Sequence, residues 1–437
     1  MIRPNACFYG VLFIFLWLAS ASSTAEDLEP ASAKFLSYFD IIGYTRIGTG
    51  QSSGGSTQAR FQAPGATAGY RLGNEADIGF EAGVKFSYPL NESQTKRIEA
   101  LYFVTDYQAF GNENIFYRDP NVAQAYIKFV EVFRPGLDVW FGRTFYDRKD
   151  IHMNDHFWLN TAQGANVGAG IELETSLGEL KVAAFQLKDE DNSLQKDIHS
   201  QSYEVRLLDI ELSQQHKLNL FAEYVHREGG DPLTVNGSPI KTDSKDGFGV
   251  AAWVDSKFSE NITNTAAFIY RQGAAFRQSS FNPNPGREDQ GFDLDDAYYW
   301  ELNTNFVYDS DAYSLGWTAV IRSEDYGVKN NSDIHWYSTG VRPIVYLTDN
   351  FNVAFEAGID YVDNYVLDVS GQVSKFTAAL QYSKSRGYYS RPVVRLFATQ
   401  AYWSDDFEGL VGAGPDDAPF ADDTDGLTFG IQFEHWW

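Results

Sequence analysis

The chain has 437 residues and a formal net charge of −25 at pH 7, with 59 acidic against 34 basic side chains. That balance excludes a nucleic-acid-binding face, which needs clustered Lys and Arg. The sole cysteine, Cys7, lies in the N-terminal apolar segment, so disulfides, zinc–thiolate sites and thiol catalysis are excluded from the mature protein.

Residues 1–25 read as an export signal: Arg3 gives a thin positive start, residues 8–18 are apolar apart from Gly10, and Ala19-Ser20-Ala21 or Ser23-Thr24-Ala25 offers small residues for cleavage. Residues 26–38 form a short acidic extension, expected in the periplasm, and residues 39–437 a single barrel domain. No later segment approaches eighteen consecutive apolar residues, so a membrane-embedded form has to be a closed barrel, which satisfies its backbone hydrogen bonds without helices. Aromatic residues point the same way. The 33 Phe, 26 Tyr and 10 Trp coexist with a negative mean hydropathy of −0.34, the combination produced by aromatic girdles around a polar interior.

From residue 39 onward, apolar and polar residues alternate with period two, the mark of strands with two different faces. The pattern predicts about eighteen strands: 39–48, 77–88, 97–107, 122–131, 137–145, 169–176, 179–188, 202–213, 217–227, 247–256, 262–272, 297–309, 312–324, 335–347, 350–362, 373–384, 389–403 and 427–437. Runs of about ten residues suit tilted strands crossing a bilayer. In the fifteenth, Phe351, Val353, Phe355, Ala357, Ile359 and Tyr361 share a face, opposite Asn352, Glu356 and Asp360. The connections are expected to alternate between long and short without exception, giving short periplasmic turns and long extracellular loops. An even count near eighteen leaves a water-filled lumen. The fold class is therefore all-β, a transmembrane antiparallel barrel of about 18 strands. Phe433 to Trp437 close the chain on aromatics, and Trp436 has the parity of the lumen face.

No zinc-binding His-Glu-x-x-His, Gly-x-Ser-x-Gly elbow or phosphate-binding loop occurs, and the reading is a non-enzyme. His152 and His156 are four apart, a spacing that carries little meaning in an inter-strand loop. Asp405-Asp406, Asp416-Asp417 and Asp422-Asp423 read as a solvated, self-repelling loop, lacking the ligand order of a calcium loop. The segment 141–169 is richer, because Arg148, Asp150, His152 and Asp155 are interleaved with Phe157 and Trp158. Sugars suit that mixture: charged groups bond hydroxyls and aromatic faces cover the apolar side of the ring.

The sequence also resembles the maltoporin family of sugar-selective outer-membrane porins. The matching stretches are 39–48, Tyr70-Arg71-Leu72-Gly73-Asn74-Glu75, Phe145-Tyr146-Asp147-Arg148-Lys149-Asp150-Ile151-His152-Met153, Gly340-Val341-Arg342-Pro343, the run 390–399 and the closing 427–437. The resemblance implies a homotrimer in the outer membrane of a Gram-negative bacterium, surrounded by lipid and lipopolysaccharide, passing maltose and maltodextrins without a cofactor. It implies an aromatic slide at Tyr44, Phe110, Phe157, Tyr389 and Trp436. It also implies a polar track at Arg46, Arg71, Glu81, Arg148, Asp150, His152 and Asp155. The chain departs from the family pattern at Gly79, where an aromatic is usual, and at Ala123, where an arginine is usual. A general or ion-selective diffusion porin is the alternative reading.

Overall fold

Eighteen antiparallel strands close on themselves in the computed structural model, which describes residues 35–437 apart from 110–120, 161–165, 189–198, 230–232, 236–237, 241–242, 277–293, 328–332, 413–419 and 421–422. We number them β1 Phe39–Ser52, β2 Asp77–Pro89, β3 Arg97–Ala109, β4 Asn121–Arg134, β5 Leu137–Thr144, β6 Asn166–Thr175, β7 Gly178–Lys188, β8 His199–Ser213 and β9 His216–Arg227. The second half comprises β10 Lys245–Ser259, β11 Ile262–Gly273, β12 Tyr298–Asp309, β13 Tyr313–Asp325, β14 Asp333–Tyr346, β15 Phe351–Asn364, β16 Val369–Ser383, β17 Val393–Trp403 and β18 Asp425–Trp436. The ring is sealed by β1 against β18, in register from Tyr44↔Trp436 to Ser52↔Thr428. Closure leaves the barrel wall without a free edge strand, which lipid would not tolerate.

Every expected strand is present, with two corrections of detail. Strand β17 begins at Val393 rather than at residue 389, because Pro392 has no N–H to give to the ladder. The strict alternation of connections also fails near the C-terminus. Strands β15 and β16 run on to a tight turn at 365–368 on the long-loop end, whereas 384–392 on the short-turn end is a longer run of bends and turns.

Burial along the strands is inverted relative to a water-soluble protein. On β15 the apolar Phe351, Phe355 and Ile359 are exposed, at 47%, 48% and 38%, while Asn352, Glu356 and Asp360 are buried. Arg206, Arg271 and Arg322 are among the largest fully buried side chains. The outside is thus shaped for lipid and the inside for charge and water. Aromatic clusters mark both rims, with Tyr38, Phe86 and Tyr88 at the short-turn end and Tyr270, Tyr298 and Phe248 at the long-loop end.

Two long connections position the site by folding inward instead of standing clear of the rim. The β1–β2 connection buries Phe61, Tyr70 and Leu72, and the β5–β6 connection buries Ile151, Met153, Trp158 and Leu159. The second connection carries its own small hairpin, Lys149–Ile151 against His156–Leu159. The two are joined by the Arg71 amide donating to the Met153 carbonyl at 3.2 Å. Residues 1–34, which hold the expected export signal and most of the expected extension, lie outside the described residues.

Candidate functional site

The inward connections are anchored to the wall by groups that would be costly to bury alone. Glu356 on β15 accepts from the Arg342 Nε at 2.7 Å and the Lys375 Nζ at 2.8 Å, and from the Leu72 amide at 3.1 Å. Lys375 also donates to the Leu72 carbonyl at 2.7 Å, and Arg342 to the Met153 carbonyl at 3.0 Å. His156, the partner in the four-residue histidine spacing, is buried with its Nε2 2.8 Å from Glu301 and its Nδ1 3.1 Å from the Thr67 hydroxyl. It pins the hairpin to the opposite wall. Each charge is paired and hydrogen-bonded, which is the condition for keeping charge in an enclosed space.

Tyr70 is held by shape as well. Its ring lies on Gly340 and Gly358, where an added Cβ would overlap it, and its hydroxyl is 2.9 Å from Ser338 Oγ. Gly358→Val is expected to displace Tyr70 and cost about 1–3 kcal/mol, as overpacking does. Thermal melting in detergent checks the stability, and single-channel recording should show a larger, noisier conductance as the 53–76 segment loosens.

Within this frame the sequence-predicted residues converge on one wall. Tyr44 and Trp436, on the first and last strands, stack at 6.5 Å between ring centres with planes 22° apart. His152 stands edge-on to Trp436 at 5.7 Å and to Tyr389 at 5.6 Å. Tyr389 reaches this position from the segment 384–392, which folds into the short-turn end of the lumen. There the Tyr388 amide donates to Asp309 at 2.9 Å and the Gly387 amide to the Tyr346 hydroxyl at 2.8 Å. Phe157 lies further along the hairpin, with the Arg148 guanidinium 4.2 Å from its ring centre and 4.4 Å from that of Phe145. Asp150 is exposed on the same hairpin. Phe110 lies outside the described residues.

Arg46, Arg71, His152 and Asp155 form a linked polar network beside the rings, and Glu81 joins it through Tyr107, whereas Arg148 packs on Phe145 and Phe157. Arg46 holds Asp77 through Nε and Nη2, both at 2.6 Å, and also pairs with Glu75. Arg71 joins Glu75 at 2.5 Å, Glu434 at 3.2 Å and, more distantly, Asp155 at 3.8 Å. It also donates to the Tyr44 hydroxyl at 3.0 Å. Glu81 accepts from the Tyr107 hydroxyl at 2.6 Å. Burial alone would raise the Glu75 carboxyl, but Arg71 and Arg46 outweigh it and hold it below the usual carboxylate range.

His152 has a different role. Its Nδ1 faces Arg71 at 2.8 Å and its Nε2 faces Arg391 at 3.1 Å. Burial and these guanidiniums push its pKa well below the ordinary histidine value, so the ring is neutral at physiological pH. A neutral imidazole has one acceptor nitrogen, and here it serves as a polar spacer between two cations and two aromatic rings.

Sequence reasoning did not single out Arg391, Arg395, Glu434, Glu75 or Tyr107. Glu434 gathers three guanidiniums, Arg71, Arg391 at 2.7 Å and Arg395 at 2.5 Å. Its parity, shared with Trp436, was the available signal. Arg391 also lies over Trp436, 4.5 Å from the ring centre.

A family model described as LamB porin matches residues 39–437, nearly the whole chain. Among solved structures, the chain is similar to OccD3 of Pseudomonas aeruginosa, with 10% identity over 91% of each chain and a TM-score of 0.47. It is also similar to the trimer form of OmpT from Vibrio cholerae, with 10% identity over 91% of this chain and 99% of that one, and a TM-score of 0.41. A third similarity is to Wzi of Escherichia coli, described as a carbohydrate-binding β-barrel, with 13% identity over 90% of this chain and 84% of that one, and a TM-score of 0.41. The full-length family match, on a closed eighteen-strand barrel with a charged lumen, makes this chain a member of the LamB porin family, a channel of the Gram-negative outer membrane.

Proposed function

We propose that the channel is passive and sugar-selective, that its cargo is maltose, maltodextrins or related oligosaccharides, and that it works as a homotrimer. The observation that carries this reading is the lane of rings Tyr44, Trp436 and Tyr389, linked through His152 at centre-to-centre steps of 5.6 to 6.5 Å. A sugar moving along such a lane exchanges one weak stacking contact for the next and meets no deep trap, as conduction requires. Phe157 extends the lane at the hairpin, and Phe110 is assigned to it on resemblance.

The flanking track consists of Arg46, Arg71, Glu81, Arg148, Asp150, His152 and Asp155. Guanidiniums donate to hydroxyls and carboxylates accept from them, so both ends of each sugar hydroxyl find a partner. An export signal over 1–25 and a short extension over 26–38 complete the proposed layout.

Reconstitution in a planar bilayer with maltotriose to maltohexaose tests the reading. The expected result is saturable, reversible block of the ion current that strengthens with chain length. Open channels with no block by any of these sugars would favour the general or ion-selective porin. That second reading is supported by Gly79 and Ala123, where the family pattern has an aromatic and an arginine.

A further inference from the structure

The aromatic lane ends abruptly in sequence terms at Gly79. This residue pairs with Arg46 on β1, two positions along from Tyr44↔Glu81, on the long-loop side. Two strand residues advance the chain by roughly 7 Å, about one step of the lane. A side chain at 79 would therefore continue the lane outward, and glycine supplies none.

The space above Gly79 is nevertheless filled. On the other side of β2, Gly79 pairs with Tyr107 of β3. A Cβ built on Gly79 would lie 2.5 Å from Cε1 and 2.9 Å from Cδ1 of the Tyr107 ring. The ring thus leans across the glycine toward β1, where the Arg46 guanidinium is 5.4 Å from its centre. Its hydroxyl is fixed by the 2.6 Å bond to Glu81, and Arg46 is fixed by Asp77 and Glu75. The register gives Tyr107 the lumen-facing parity of Gly79, and 42% of the residue remains exposed. The glycine and the tyrosine are complementary: any larger residue at 79 would evict the ring.

We infer that Tyr107 is a sugar-contacting residue, the subsite immediately extracellular of Tyr44, with Arg46 and Glu81 as donor and acceptor at its edge. This rests on the sugar-channel reading. A ring held on one side by a glycine, and at its edges by a guanidinium and a carboxylate, needs little ordering when a pyranose meets it, which favours capture. With Arg46 on β1 and Gly79 on β2 at this level, neither of these strands offers a ring to continue the lane. This chain carries it on β3 instead.

The experiment compares wild type, Y107A, Y107F, W436A and the exchange G79Y/Y107A in planar bilayers, titrating maltohexaose added from the extracellular face. For Y107A, block is expected to weaken by roughly fivefold to tenfold, mainly through slower association. Y107F should stay within about twofold of wild type, and G79Y/Y107A should regain block, because each restores a ring at the same point in the lumen. Block by Y107A equal to wild type, with W436A losing it, would overturn the Tyr107 subsite and leave the sugar channel standing. No block of wild type by maltohexaose would overturn both.

Discussion

Replacing Trp436 with Ala should weaken maltodextrin block at least tenfold while leaving the open-channel conductance equal to wild type or slightly higher. Trp436 is the centre of the lane, in contact with Tyr44, His152 and Arg391 together. A sugar covering half of an indole buries on the order of 100 Å² of apolar surface. At roughly 25 cal/mol per Å² this is about 2.5 kcal/mol, and about 1.4 kcal/mol is already tenfold in affinity. Ions do not need the ring, and Arg391 keeps its 2.7 Å bond to Glu434 when the indole is gone. Titration of the block in single channels separates the two effects. Equal loss of block and conductance would point to collapse of the wall, and unchanged block would remove Trp436 from the lane.

Glu434→Gln should shift ion selectivity toward anions and lower stability by about 3 kcal/mol. Glu434 is 1% exposed and is the shared partner of Arg71, Arg391 and Arg395. Glutamine preserves its shape but removes the negative charge, so the three guanidiniums repel one another and the lumen becomes more positive. Removing one partner of a buried ion pair costs about 3–5 kcal/mol, and water in the lumen places this case at the lower end. The zero-current potential across a KCl gradient reads the selectivity, and a melting curve reads the stability. A selectivity identical to wild type would show that permeating ions do not sense this network.

The strands were legible because a barrel wall writes its two environments into alternate residues. Phe351 to Tyr361 carried that signal so clearly that faces as well as limits could be read. Tyr389 was assigned to the wrong kind of element for a reason visible in Pro392, which blocks the ladder just where the periodicity seemed to continue. The inward fold of 53–76 was not legible, since its fastening depends on Glu356, Lys375 and Ser338, some three hundred positions away. Glu75 lay within a quoted motif but showed its role only once Arg46 and Arg71 met around it. Tyr107 was missed because its importance depends on a neighbour having no side chain. A sequence read one strand at a time does not show that a glycine on β2 makes room for a ring on β3.

The pairing of Tyr44 with Trp436 has a consequence for biogenesis. The Tyr44 hydroxyl donates to Glu434, 390 positions away, across the joint where the first strand meets the last. Because Tyr44 lies on β1 and Trp436 on β18, no barrel open at that joint possesses the lane: it comes into being when the cylinder is sealed. On the sugar-channel reading, affinity for maltodextrin would double as a readout of completed assembly, and a barrel trapped with that joint unzipped would leak ions without binding the sugar.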